Sequence, residues 1–157
     1  MTEFPKRKNI RLKDFDYSQN GYYFITICTH RRQKLFGEIV GATLCGRPGK
    51  MIEKWLLEIQ NKFEDVKICD YVIMPDHLHF IISKSGDHTG SPLRDIVGWF
   101  KTMTTNEYIQ KVKDLEYEAF YQKVWQRGYY EHVIRDEKDY MVKAEYIMNN
   151  LYKKTDN

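Results

Sequence analysis

The chain has 157 residues, of which 42% are hydrophobic and 15% aromatic, and its formal net charge is +3. This composition excludes a disordered chain, and no apolar run approaches the length of a membrane span. The mildly basic balance permits nucleic acid as a partner without requiring it. We expect one domain over residues 1–157.

The cellular compartment is suggested by the cysteines and by the start of the chain. Cys28, Cys45 and Cys69 lie far apart and form no CxxC pair, which argues against a disulfide framework or a zinc knot. The first residues are polar and basic, with no apolar leader segment. A cytoplasmic protein with reduced thiols is the expectation.

The first half of the chain predicts a strand, a helix and a second strand. Residues 21–30, GYYFITICTH, are rich in aromatic and β-branched residues and indicate a strand. Residues 37–49 are short apolar pieces broken by glycines, which indicates a hairpin or loop. Residues 50–63 carry apolar side chains at helical spacing, and residues 66–74 predict the next strand.

The second half repeats this alternation. A third strand, HLHFIIS, begins after Pro75, and residues 91–112 predict a helix that opens with a serine cap and a proline. Residues 124–134 indicate a fourth strand, and Asp136 is placed to cap a last helix. The order predicts an α+β fold of the ferredoxin-like or RRM-like β-α-β-β-α-β type. We expect an antiparallel sheet with helices on one face, followed by a C-terminal helix.

Two histidines stand one residue apart where the third strand begins. Because residues two apart in a strand point to the same face, His77 and His79 should lie side by side, with Leu78 and Phe80 opposite. Neutral imidazole is a common ligand of divalent metals, so this pair indicates a metal site. Two half-exposed strand histidines, one of them hydrogen-bonded, are the plain alternative.

The last helix has two distinct faces. Its core stripe is formed by Tyr140, Ala144, Ile147 and Leu151. Tyr146 and Asn150 lie on another face, one above the other, because they are four residues apart. A partly buried amphipathic tyrosine is the plain interpretation of Tyr146.

Two segments, YVIMPDHLHFII (71–82) and VWQRGYYEHVIRDEKDYMVKAEYIMNN (124–150), resemble the single-tyrosine HUH transposases. They resemble most the IS200-like branch known as REP-associated tyrosine transposases, as does the opening stretch GYYFITICTHRRQKLFG. The resemblance implies that His77 and His79 bind a divalent metal, Mg²⁺ or Mn²⁺. It also implies that Tyr146 is the nucleophile and Asn150 the third metal ligand.

Three residues compete for these roles. Tyr140 belongs to the core stripe, and Tyr152 lies near the chain end. Family members often have Asn-Pro after this helix, whereas here the chain has Asn-Leu, so Asn149 competes with Asn150 as third ligand. The spacing from Tyr146 favours Asn150, because Asn149 points about 100° further round the helix.

The resemblance further implies a reaction on single-stranded DNA beside a hairpin-forming palindromic repeat. Attack of Tyr146 on a phosphodiester would give a 5′-phosphotyrosine and a free 3′-hydroxyl, followed by strand transfer. Lys143, one helical turn earlier, could lower the pKa of this tyrosine electrostatically. Both a homodimer with the tyrosine in trans and a monomer with it in cis fit the sequence.

Candidate DNA contacts are basic and aromatic side chains. The candidates are Lys6, Arg7, Lys8, Arg11, Arg31, Arg32 and Arg127 for phosphates and Tyr129 and Tyr130 for stacking on unpaired bases. Each is also an ordinary surface or sheet residue by type. Glu131 and His132 lie in the family-like segment but receive no catalytic role.

Two other functions are compatible with the predicted fold. One is a noncatalytic RRM-like nucleic-acid-binding module, although the chain has no stretch that matches the RNP1 pattern. The other is a metal-dependent hydrolase that uses water and leaves Tyr146 idle. A domesticated member that cuts and rejoins repeats without its own mobile element is a variant within the family.

Overall fold

Strands and helices alternate along the chain as the hydrophobic periodicity predicts. The structure is a computed structural model that describes residues 21–37, 48–85 and 91–152, with the side chain of residue 152 excepted. Its elements are β1 (Gly21–Cys28), a 3-10 turn (His30–Arg32), α1 (Pro48–Lys62), β2 (Val66–Ile73), β3 (His77–Lys84), α2 (Leu93–Lys113), β4 (Tyr130–Ile134) and α3 (Glu137–Tyr152). The loop predicted over residues 37–49 lies mostly outside the described residues.

The four strands form one antiparallel sheet in the order β2-β3-β1-β4. Because β3 lies between β1 and β2, α1 crosses over a strand to connect them, as the ferredoxin-like arrangement requires. The predicted fold class is confirmed. The sheet brings β1 and β3 together at its centre, where each has a neighbour on both sides.

The main core lies between one face of the sheet and the helices α1 and α2. Alternate strand residues such as Ile25, Ile27, Leu78 and Phe80 are fully buried there. The predicted stripe of α2 is also buried: Leu93, Ile96, Val97 and Phe100. Burial of these apolar faces is the main favourable term that holds the helices to the sheet.

The last helix, α3, packs on the opposite face. Its Ile147 is 1% exposed and belongs to a second cluster with four sheet residues, namely Phe24, Val72, Ile81 and Ile134. Tyr140, Ala144 and Leu151 pack against this cluster, which confirms the predicted core stripe. The predicted cap is present too, since the backbone N–H of Asp139 donates to Asp136 Oδ1 at 2.8 Å.

Two local predictions differ from the structure. The fourth strand begins at Tyr130 and not at residue 124, because Gly128 takes a left-handed backbone (φ 79°) that interrupts the extended segment. Trp125 is nevertheless buried, pairs with Thr29 in an isolated bridge and donates its indole N–H to Thr104. Its apolar character therefore reflects core burial in an irregular segment.

The predicted serine cap of α2 is also absent. The backbone N–H and the hydroxyl of Ser91 donate to the carboxylate of Asp65, at 3.0 and 3.3 Å. The helix then begins at Leu93, after Pro92. Ser91 therefore bonds to a residue 26 positions earlier in the chain and not to the first turn of α2.

Candidate metal and tyrosine site

The start of β3 presents two imidazoles to α3. His77 and His79 alternate with Leu78 and Phe80, which are buried in the main core, so both histidines point to the α3 face. Their ring centroids are 4.7 Å apart. The predicted side-by-side arrangement is confirmed.

A carboxylate fixes the orientation of His77. Its Nδ1 lies 2.6 Å from Asp76 Oδ1, and Arg32 Nε donates to the other carboxylate oxygen at 3.1 Å. Burial raises the pKa of Asp76, but the hydrogen bond from His77 and the charge of Arg32 lower it by more, so the carboxyl stays ionised. With Nδ1 donating to Asp76, Nε2 is the ring nitrogen that can bind a metal.

The orientation of His79 is set from the neighbouring strand. Thr26 lies directly opposite it in the β1–β3 register, and the two side chains meet at 2.7 Å between Oγ1 and Nδ1. The ring of Phe24 stacks on the imidazole, with centroids 5.5 Å apart and planes 18° apart. His79 is 5% exposed and is held on its Nδ1 side, so its Nε2 is again the atom available to a metal.

Tyr146 reaches this pair from α3 of the same chain. Its ring centroid lies 5.1 Å from that of His79, with the planes 71° apart, and 44% of the residue is exposed. The cleft around it has a volume of about 330 Å³ and is lined by Phe24, Thr26, His79, Tyr130, Lys143 and Tyr146. The predicted tyrosine therefore contacts His79, one of the two predicted histidines, and remains open to solvent.

The two asparagines that end the family-like segment face different environments. Asn150 is 5% exposed and lies one helical turn after Tyr146, whereas Asn149 is exposed. The Nδ2 of Asn150 donates to the backbone carbonyl of Tyr146 at 2.9 Å, so its Oδ1 is the amide atom that can coordinate a cation. Burial on the sheet side of α3 favours Asn150 over Asn149.

Two imidazole nitrogens and an amide oxygen are a chemically suitable donor set for a divalent metal with open positions. Within the described residues, no three His, Cys, Asp or Glu side chains come together to hold a metal. A metal at this place would therefore need the amide of Asn150 or water beside the two histidines. Imidazole nitrogens together with an amide oxygen and water suit a divalent transition metal such as Mn²⁺.

Tyr140 has a different environment from Tyr146. Its hydroxyl donates to Asp70 Oδ2 at 2.7 Å. Burial, followed by this hydrogen bond and the charge of Asp70, raises its pKa well above the ordinary value. A register irregularity in β2 between Ile68 and Tyr71 accompanies this contact. Tyr140 thus keeps its proton and joins α3 to β2, while the side chain of Tyr152 lies outside the described residues.

Lys143 lies in the cleft beside Tyr146. Its Nζ is 5.2 Å from the centroid of the Phe24 ring, a cation–π geometry. The predicted proximity of this ammonium to the tyrosine is therefore present.

The candidate DNA contacts are distributed unevenly around the site. Arg32 is hydrogen-bonded to Asp76, beside the candidate metal ligand His77, and Tyr130 lines the cleft. Tyr129 points to the opposite face, where it packs against the main core, and Arg127 is exposed in the turn before β4. Arg31 lies over the ring of Tyr121, 5.0 Å from its centroid. Lys6, Arg7, Lys8 and Arg11 lie outside the described residues.

Sequence reasoning missed the two residues that orient the histidines. Asp76 adjoins His77 along the chain, so its proximity was a usable signal. Thr26 lies 53 residues before His79, and only the β1–β3 register brings them together. No local pattern marks Thr26.

The described fold and site define a ferredoxin-like protein whose central strand carries a His-x-His pair opposite a helix-borne tyrosine. The family model described as "Transposase IS200 like" matches residues 17–150. The chain belongs to the IS200-like transposase family, and its role is that of a transposase.

Relatives by sequence come from Haemophilus influenzae. An uncharacterized protein is 36% identical over 92% of this chain and 87% of its own length. A second protein, provisionally named a REP-associated tyrosine transposase, is 29% identical over 88% of this chain and 74% of its own length.

Solved structures share the fold. A REP-associated tyrosine transposase bound to a REP hairpin superposes with a TM-score of 0.65 at 20% identity, covering 91% of this chain and 73% of that one. A protein from Deinococcus radiodurans, provisionally described as a transposase, gives a TM-score of 0.55 at 16% identity, covering 88% of this chain and 97% of that one.

Among the described residues, no helix is both long and apolar enough to span a membrane.

Proposed function

We propose that this protein cleaves and rejoins single-stranded DNA, with Tyr146 as the nucleophile. The observation that carries the proposal is the contact between the exposed Tyr146 ring and the buried, oriented imidazole of His79. A tyrosine with a structural role would be expected to donate its hydroxyl to a neighbouring side chain, as Tyr140 donates to Asp70. Membership of the transposase family supports a reaction on DNA.

His77, His79 and Asn150 would hold a divalent metal, Mg²⁺ or Mn²⁺, in this site. Such an ion supplies charge neutralisation on the oxygens of a scissile phosphate and helps to orient it. Asp76 keeps His77 in the tautomer that leaves Nε2 for the metal, and Thr26 holds the Nδ1 edge of the His79 ring. Since Phe24 stacks on His79 and the residue is only 5% exposed, rotation of the ring out of this orientation is restricted.

The chemical step is an in-line displacement at phosphorus. The Tyr146 hydroxyl gives its proton to water as its oxygen forms a bond to the phosphorus. The bond from phosphorus to the 3′-oxygen breaks, and that oxygen takes up a proton from water as it leaves. The products are a 5′-phosphotyrosine and a free 3′-hydroxyl. Because the phosphodiester energy is kept in the covalent link, a 3′-hydroxyl can attack it in the reverse sense and complete strand transfer.

The substrate is single-stranded DNA beside a hairpin-forming repeat. One structural neighbour is a REP-associated tyrosine transposase bound to a REP hairpin, and one sequence relative is provisionally named a REP-associated tyrosine transposase. Attack at an internal phosphodiester requires the backbone to turn into the cleft beside Tyr146, which an unpaired strand does more readily than a duplex. Arg32, at the metal end of the cleft, is placed to contact a phosphate.

Catalysis in cis is the simplest arrangement for this geometry. In the structure α3 packs on its own sheet, so Tyr146 already lies against His79 of the same chain. A homodimer would not be needed to complete the site.

Covalent trapping tests the proposal. The protein is incubated with Mn²⁺ and end-labelled single-stranded DNA that carries the palindromic repeat flanking the gene in its host, and the products are separated on denaturing gels. We expect the protein to be linked to the 5′ end of the fragment on the 3′ side of the cut, and this adduct should be lost in Tyr146→Phe and in His77→Ala. Tyr140→Phe is the matched control, because it removes a hydroxyl from the same helix, and it should keep the adduct.

Each alternative gives a different gel. Cleavage that survives Tyr146→Phe would refute the tyrosine mechanism in favour of a metal-dependent hydrolase. Binding without any adduct or cleavage would indicate a noncatalytic RRM-like module. Mixing Tyr146→Phe with His77→Ala should leave both inactive if the tyrosine acts in cis, whereas recovery of the adduct would show a shared site in a dimer.

A further inference from the structure

A strained turn follows β1 at the metal end of the sheet. Arg31 and Arg32 are consecutive, neither is glycine, and both have left-handed backbones, with φ of 53° and 56°. Side chains other than glycine rarely adopt this region, and such strain persists only where surrounding contacts hold it. The two arginine side chains contact different partners.

One of them connects the turn to the metal site. Arg32 Nε donates to Asp76, which in turn orients His77. The other, Arg31, places its guanidinium 5.0 Å from the centroid of the Tyr121 ring. Two consecutive residues of one turn therefore contact Asp76, at the candidate metal site, and the Tyr121 ring.

Gln33 fastens Tyr121 to this turn. Its Oε1 accepts the backbone N–H of Tyr121 at 2.6 Å, and its Nε2 donates to the carbonyls of Tyr121 and Lys123 at 3.1 and 3.3 Å. The side-chain amide thus replaces the backbone pairing that a strand would supply. Tyr121 is held in a fixed position 88 residues away from the turn that supports it.

The Tyr121 ring is fixed but open. It is 54% exposed although Arg31 lies over it and the His30 ring stacks nearly parallel to it, with 6.4 Å between centroids and 15° between planes. His30 is itself held by Gln122, whose Oε1 lies 3.0 Å from Nε2. An exposed tyrosine on a mobile loop would lose more conformational entropy on binding than one that is already positioned.

We propose that Tyr121, supported by Arg31 and His30, is a stacking site for an unpaired base of the substrate strand next to the scissile phosphate. Aromatic rings and guanidinium planes are the groups on which unpaired bases stack, and a nearby arginine attracts the adjoining phosphates. The inference rests on the proposed function, since it assumes that single-stranded DNA reaches the Asp76–His77 end of the cleft. It adds a binding residue that takes no part in the chemistry.

Fluorescence anisotropy tests this site with two labelled DNA probes in the uncleavable Tyr146→Phe background. One probe is the flanking palindrome folded as a blunt hairpin, and the other is the same hairpin with an unpaired tail. We expect Tyr121→Ala to weaken binding of the tailed hairpin by about 5-fold or more and to leave the blunt hairpin unchanged. Tyr121→Phe, which keeps the ring, should bind both probes as the parent does.

Tyr22→Ala is the matched control. Tyr22 is also an exposed tyrosine, at 45%, but it lies at the opposite end of β1 and packs against Tyr140. It should not change the affinity for either probe. Circular dichroism of each variant verifies that the fold is retained.

Three results would overturn the inference. Tyr121→Ala could bind the tailed hairpin as tightly as the parent, or it could lose equally on both hairpins, or Tyr121→Phe could lose as much as Tyr121→Ala. If any one of these results is obtained while the wild type still forms the covalent adduct, the proposed function stands and only the stacking site fails. If the parent binds neither probe and the wild type forms no adduct, both fail together.

Discussion

Replacing Ile147 by alanine should weaken the docking of the tyrosine helix on the sheet. Ile147 is 1% exposed and is the fully buried α3 residue in the second cluster, against Phe24, Val72 and Ile81. Truncating a buried isoleucine costs about 2–5 kcal/mol through lost transfer energy and the cavity left behind. The flanking α3 residues are only partly buried, so the site can collapse in part, and we expect about 2–3 kcal/mol.

This loss is large enough to measure in three ways. For a chain of this length it lowers the melting temperature by about 4–12 °C. If α3 opens as a unit, its amides exchange about 30- to 150-fold faster, since each 1.4 kcal/mol is tenfold. The yield of covalent DNA adduct should fall as well, because Tyr146 leaves His79 when the helix opens.

Met148→Ala is the control, since it removes a neighbouring apolar side chain that is 43% exposed. It should change the melting temperature and the adduct yield little, because exposed side chains away from special features contribute little to stability. The reasoning is refuted if the two variants melt alike. It is also refuted if Ile147→Ala is destabilised and its α3 amides exchange fast, yet the adduct forms at the wild-type rate.

Two further predictions concern Asp139, at the start of α3, and Thr26, which contacts His79. Burial raises the pKa of Asp139, but its hydrogen bonds with His132 and with a backbone N–H lower it by more. The ionised carboxylate therefore stabilises the fold at pH values above the ordinary pKa of about 4. This stabilisation is lost as the pH falls through the lower pKa of the folded state. Urea unfolding of Asp139→Asn and wild type should therefore differ at pH 6 and converge toward about pH 2, and a constant difference would contradict this. Thr26→Val keeps the shape of β1 but removes the partner of His79 Nδ1, and it should weaken Mn²⁺ binding by about 10- to 100-fold in calorimetric titration. An unchanged affinity would show that Thr26 does not orient a metal ligand.

Much of this architecture was readable from local patterns. The alternation in HLHFIIS placed both histidines on one face, and the 3.6-residue period of the last helix separated Tyr146 from the Ile147 stripe. These signals are strong because strand and helix periodicity depends on neighbouring residues alone. The two local errors arose where a distant contact decided the structure. Trp125 bonds to Thr104 in the core, and Ser91 bonds to Asp65 and does not cap α2.

The amino-acid sequence by itself determined the element order, the two faces of β3 and of α3, and the residue types of the candidate site. Only the tertiary structure decided that Thr26 supports His79, that Asn150 is buried while Asn149 is exposed, and that Tyr121 lies beside Arg31 of the turn after β1. Those contacts join residues tens of positions apart through strand register and helix docking. Register and docking depend on the packing of the whole core, which no local period encodes.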